Sequence, residues 1–123
     1  MEITPAVKPG RQTVESYGDG RFRISGQIYE GSVLVLPGRT FSWAVGALDE
    51  VSLDSLEPLL AEDRGILLLG CGPRLGLVPA DLREGVRARG FVLEPMDTGA
   101  ACRTYNVLIS EERRVAAALI AVD

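Results

Sequence analysis

Two stretches of this chain, Ser32–Leu36 and Ile66–Leu69, are apolar residue after residue, with only Ser32 breaking the pattern. Gly31 and Pro37-Gly38 bracket the first, and Gly70-Cys71-Gly72-Pro73 stops the second. Short runs with no polar face suit strands covered on both sides, as in a layered, largely parallel sheet. Phe91–Glu94, ended by Pro95, reads as a third strand, and Val115–Val122 as the last, Ala-rich enough to pack closely under a helix.

Helical spacing fills the gaps between them. Leu53, Leu56, Leu59 and Leu60 repeat with a helical period, Asp54 is the expected N-cap, and Pro58 falls at the fourth helical residue. Pro79 opens a second helix, Ala80–Arg89, and Gly90 closes it. Leu82, Gly85 and Val86 share one face, where Gly85 would let the helix approach the sheet closely. Thr98 is the expected N-cap of a third helix reaching Glu111, with Tyr105, Leu108 and Ile109 on its core side. Strands alternating with helices imply a mostly parallel sheet with helices packed on it.

The N-terminal third is β-rich. Met1–Gly10 reads as extended, Thr13–Tyr17 as a half-buried strand, and Gly18-Asp19-Gly20 as a turn. Phe22 and Ile24 then alternate with polar residues in a second hairpin arm, and Gln27–Glu30 is a short third strand. Arg39–Val45 is expected to run along the sheet edge, with Trp43 plugging the core. The reading is α/β, with an added β layer or antiparallel edge.

A length of 123 residues fits one domain, 1–123. Thirteen basic residues, of which only Lys8 is lysine, are scattered among 17 acidic ones for a net charge of −4. No basic stripe exists to neutralise phosphates, so no nucleic-acid partner is expected. No basic start precedes an apolar run, and no apolar run approaches the roughly 20 residues that span a bilayer. A cytoplasmic location with no transmembrane segment is the expectation. Cys71 and Cys102 would be free thiols in a reducing compartment. The sequence contains no histidine. That removes Ser-His-Asp and Cys-His catalysis, His-ligated zinc and proximal-His haem. No catalytic residue, metal site or cofactor is assigned.

Ligands of open α/β sheets bind beyond the carboxyl ends of the strands. Pro37-Gly38, Gly70–Pro73 and Pro95–Thr98 are expected to converge there. The third helix would present Thr98, Cys102, Arg103 and Asn106 toward the Gly70–Gly72 loop. Its small first turn, Gly99–Ala101, would leave amides open to an anion, although Glu94 and Asp97 beside it would repel phosphate. The candidate ligand-binding cleft is Gly70, Cys71, Gly72, Met96, Thr98, Cys102, Arg103 and Asn106. The same residues also suit a purely structural role, locking helix to sheet. Arg83, Arg87 and Arg89 read as a solvated face.

Several stretches together carry a resemblance: Tyr17–Phe22, Gly31–Pro37, Trp43, Ile66–Gly70, Glu94–Thr98, Ala100–Asn106 and Arg113–Ile120. The chain resembles the family of small α/β proteins that includes mitochondrial NADH dehydrogenase (complex I) assembly factor 3 and its bacterial relatives. The resemblance implies a three-layer fold: a central mixed, mostly parallel sheet, helices packed on it, and an additional N-terminal β hairpin or layer. It implies no established reaction. Some bacterial relatives are encoded beside protein-export genes, which points to membrane-protein biogenesis. The family usually has Gly-Thr-Gly where this chain has Gly70-Cys71-Gly72, which argues against Cys71 as a nucleophile. The expected function is a non-enzymatic interaction or assembly module with protein partners of unknown identity. An unpaired N-terminal edge strand would allow a homodimer. The alternative is a small-molecule enzyme or thiol redox sensor built on Cys102, Arg103 and Asn106.

Overall fold

The computed structural model describes residues 10–61 and 65–123. Apart from Gly10, the expected extended segment 1–10 lies outside them. The described chain runs β1 (Val14–Gly18), β2 (Arg21–Ile24), β3 (Gln27–Glu30), β4 (Val33–Val35), β5 (Thr40–Ser42), α1 (Glu57–Leu60), β6 (Gly65–Gly70), α2 (Ala80–Ala88), β7 (Phe91–Met96), α3 (Thr98–Ser110) and β8 (Val115–Leu119).

β1, β2 and β3 form an antiparallel three-stranded sheet. Asp19 and Gly20, then Ser25 and Gly26, all have positive φ at the two hairpin tips. Two consecutive residues of that kind match the right-handed twist of the arms they join, which is why Gly follows Asp and Ser here.

The second sheet has five strands in the order β5-β4-β8-β6-β7. β8, β6 and β7 are parallel to one another, and β4 and β5 extend them antiparallel. The mixed, three-layer α/β architecture expected from the sequence is the one observed. Alternation splits the core into two halves. Leu67, Leu69, Ala116 and Ala118 face α1, α2, Trp43 and the loop before them. Leu68, Ala117 and Leu119 face α3 and the three-stranded sheet. β8 lies between β4 and β6, and its three consecutive alanines let both outer layers close in.

Five local expectations need correction. β4 runs antiparallel to β8, so Pro37-Gly38 lies at the opposite end of the sheet from Gly70–Pro73. An apolar run identifies a covered strand but carries no direction. The 53–60 segment is a 3-10 turn, Asp54–Leu56, followed by the single turn of α1, and Asp54 makes no side-chain cap. Pro58 has no N–H for the Asp54 carbonyl, which accepts the Glu57 N–H instead. Gly85 opens space for Leu53, not for the sheet, because a Cβ there would meet the Leu53 side chain at 3.0 Å. Pro95 does not end β7, which continues to Met96. β7 is an edge strand, where a missing N–H is tolerated. Finally, the N-cap of α3 is Asp97, whose carboxylate accepts the Ala100 N–H at 2.9 Å.

Candidate functional site

The ends of β6 and β7 meet the start of α3. The Cys71 N–H donates to the Met96 carbonyl, and the Thr98 N–H donates to the Gly72 carbonyl, both at 2.8 Å. The Thr98 hydroxyl accepts the Gly72 N–H at 3.0 Å and donates to the Ile120 carbonyl at 2.7 Å. It thereby ties the β6 loop, α3 and the chain after β8 at one buried point. Gly70 is needed beside it, since a Cβ there would lie 3.0 Å from the Thr98 hydroxyl and 3.1 Å from Leu119. Gly70, Cys71, Gly72 and Thr98 are all buried, and Met96 is half-buried.

α3 then sends its remaining polar groups in different directions. Cys102 is fully buried among apolar neighbours, and burial pushes its thiol up to about 12, only partly offset by the positive charge of Arg103. Burial disfavours a thiolate there and shields the sulfur from solvent. Cys71 is also buried and free, its sulfur 3.7 Å from the Leu69 carbonyl. Asn106 faces β1. Its Oδ1 accepts the Val14 N–H at 3.0 Å and its Nδ2 donates to the Val14 carbonyl at 2.8 Å, the same exchange a neighbouring strand would make. Tyr105 is buried beside it and its single O–H is shared between the Gln12 and Leu36 carbonyls at 3.1 and 3.3 Å; burial pushes its phenol upward.

Arg103 is the exposed member of the set. Its Nη1 lies 3.4 Å from the Tyr17 hydroxyl. Tyr17 crosses the first turn of α3, where a Cβ on Gly99 would run into its hydroxyl. The structure therefore joins Gly70, Cys71, Gly72, Met96 and Thr98 at one buried junction. Cys102, Asn106 and Arg103 point respectively into the core, to β1 and to the surface beside Tyr17. The helix start is not open to an anion either, because Asp97 occupies it.

Two surface clefts were not anticipated from the sequence. One, of about 410 Å3, is lined by residues that include Tyr17, Asp19, Arg21, Arg23, Ile28 and Asp123. Arg21 pairs with Glu30 at 3.3 Å and Arg23 with Glu15 at 3.2 Å, so those cations are already engaged. The other, of about 370 Å3, lies between α2 and the β7 edge. Tyr17 and Arg103 are 86 positions apart, and no local signal connects them. Leu75 and Leu77 were more legible: two leucines in a Pro- and Gly-flanked loop, 63% and 96% exposed. Among the described residues, no group of three or more Cys, Asp or Glu could hold a metal ion, and no helix is long and apolar enough to cross a membrane.

The family model described as "Protein of unknown function (DUF498/DUF598)" matches residues 14–120. The chain belongs to this family. It is 38% identical over 109 residues to NADH dehydrogenase (ubiquinone) 1 alpha subcomplex assembly factor 3 of Danio rerio, covering 87% of this chain and 63% of that protein. The chain thus spans less than two-thirds of that relative's length. It is 37% identical over 113 residues to an uncharacterized protein of Rhodobacter capsulatus, covering 90% of this chain and 86% of that one. The solution structure of a Bordetella pertussis protein, described as a Mth938-like domain, is 28% identical with a TM-score of 0.81, covering 98% of this chain and 92% of that chain. The family expected from the sequence motifs is the one found.

Proposed function

We propose that this family member is a non-enzymatic interaction module, acting in the cytoplasm in the biogenesis of a membrane respiratory complex or of membrane proteins. The observation that carries this reading is how the polar groups of α3 are used. Thr98, Tyr105 and Asn106 are buried and bonded to backbone of other segments, and Cys102 is enclosed in the core. Groups spent in this way hold layers together and are not available to a substrate. The likeness to an assembly factor supports the same direction. In this reading Gly70, Cys71, Gly72 and Met96, with Thr98, Cys102 and Asn106 of α3, lock the helix onto the sheets, and Arg103 is the member left at the surface. The buried, high-pKa thiol deprives the redox-sensor alternative of its thiolate.

Deletion of the gene in its source organism tests the proposal. Assembled NADH dehydrogenase, or another respiratory complex, should fall on native gels and return with the wild-type gene. Normal assembly of every membrane complex, with a changed metabolite pool instead, would overturn it.

A further inference from the structure

β7 is the last strand of the five-stranded sheet. The Met96 carbonyl accepts the Cys71 N–H, so the backbone groups of Met96 point to β6. Alternation then turns those of Phe91, Leu93 and Pro95 outward. Pro95 has no N–H. The edge therefore offers the N–H groups of Phe91 and Leu93 and three carbonyls, of which that of Leu93 accepts Arg83 Nη1 at 3.2 Å. Beside this edge lies the cleft of about 370 Å3, walled by Arg83 and Arg87 of α2 and by Phe91, Val92 and Leu93. Phe91 and Leu93 are buried under α2, whereas Val92 turns to the other face and is 59% exposed.

The charges here are uncompensated. Among the described residues, neither Arg83 nor Arg87 has a carboxylate partner, while Arg21, Arg23 and Arg89 each have one. The two stand four apart on one helix face, in a chain whose net charge is −4. Arg83 already reaches the strand edge, so a carboxylate arriving there would receive charge-assisted bonds.

We propose that the β7 edge and α2 together take an extended segment of a partner protein in which acidic and apolar side chains alternate. The segment adds a strand to β7 through the N–H groups of Phe91 and Leu93 and the Phe91 carbonyl, while the Leu93 carbonyl keeps its bond from Arg83. Its acidic side chains face Arg83 and Arg87, and its apolar ones cover Val92. Pro95 limits the pairing to the first part of the edge. A second copy of this chain fits poorly. Pairing β7 with itself about a two-fold axis sets Pro95 opposite Phe91 and brings both pairs of arginines to the same face. The proposal rests on the interaction-module reading and names the chemistry of its partner.

The test uses the full chain labelled with 15N and an alternating glutamate–valine octapeptide as probe, with a lysine–valine octapeptide as control. The proposal expects saturable shifts concentrated at residues 83–95 and slowed hydrogen exchange at the Phe91 and Leu93 amides. It also expects no binding of the lysine probe and roughly tenfold weaker binding by Arg83→Glu/Arg87→Glu. If that double variant does not fold, Arg87→Gln should still weaken binding measurably. Shifts elsewhere or none at all, equal binding of both probes, or unchanged affinity in the variants would overturn it. So would sedimentation of the unliganded chain as a dimer that Arg87→Gln alters. Crosslinked capture from source cells separates the two claims. A partner held equally by wild type and the charge-reversed variant sinks the edge proposal and leaves the module reading intact. No partner for either sinks the module reading, and the probe titration still decides the edge.

Discussion

Asn106 is the residue whose removal should reveal most about how the layers are joined. It is 5% exposed, and its amide makes two hydrogen bonds with Val14, which is itself fully buried. Asn106→Ala leaves a buried N–H and a buried carbonyl without partners. Each orphaned group costs about 1–3 kcal/mol, so the expected loss is about 2–6 kcal/mol. A chain of 123 residues unfolds with an entropy of about 0.26 kcal/mol/K, which turns that loss into a fall in Tm of roughly 8–23 °C. Asn106→Asp separates hydrogen bonding from volume. It keeps the acceptor for the Val14 N–H but sets a second acceptor against the Val14 carbonyl. Protonation supplies the missing donor, so the folded pKa of the new carboxyl is raised. The stability it contributes is present in acid and lost as pH rises through that pKa. Urea unfolding of both variants across pH, with hydrogen exchange at Val14, measures the effect. A loss below about 1 kcal/mol for Asn106→Ala, with Val14 still protected, would refute the reasoning, because these groups would then be worth less than one ordinary bond.

Thr98→Val removes one hydroxyl that serves both Gly72 and Ile120, and should cost about 2–4 kcal/mol by thermal unfolding, with Thr98→Ser losing less than half of that. Neither Cys71 nor Cys102 should react with an aromatic disulfide reagent faster than the chain opens, and both should react at once in denaturant. Because Cys102 is raised from 9.0 to about 12 by burial, its contribution to stability is complete below pH 9 and is lost toward pH 12. This thiol contributes a slope of about 1.4 kcal/mol per pH unit, which Cys102→Ala should remove between about pH 9 and 10, while the slope from the raised Tyr105 phenol persists at higher pH. Leu77 is 96% exposed, so Leu77→Ser should leave Tm unchanged within about 2 °C.

The residues show why some features were readable and others were not. β6 and β8 are covered on both faces, and an unbroken apolar run expresses that locally. Pro79 and Gly90 bracket α2 because their backbone preferences act at the position where they stand. The direction of β4 depends on pairing with a strand more than eighty residues away, which its own apolar residues cannot encode. The cap of α3 moved by one residue because Thr98 found a tertiary use for its hydroxyl, leaving Asp97 to close the helix. The candidate cleft rests on shared helical faces, and Cys102 and Asn106, four apart, are both buried on α3. What sequence could not supply was β1 lying across α3, which draws Asn106 and Arg103 away from the Gly70–Gly72 loop.

The claim that this chain works by binding a protein is tested most directly by recovering that protein. The tagged full chain should be captured under mild crosslinking from its source cells and its companions quantified by mass spectrometry. The account predicts one or a few stoichiometric partners, retained by Cys102→Ala and absent from an unrelated tagged control. Recovery of the chain alone, together with a reproducible thermal shift on adding a small metabolite, would contradict it.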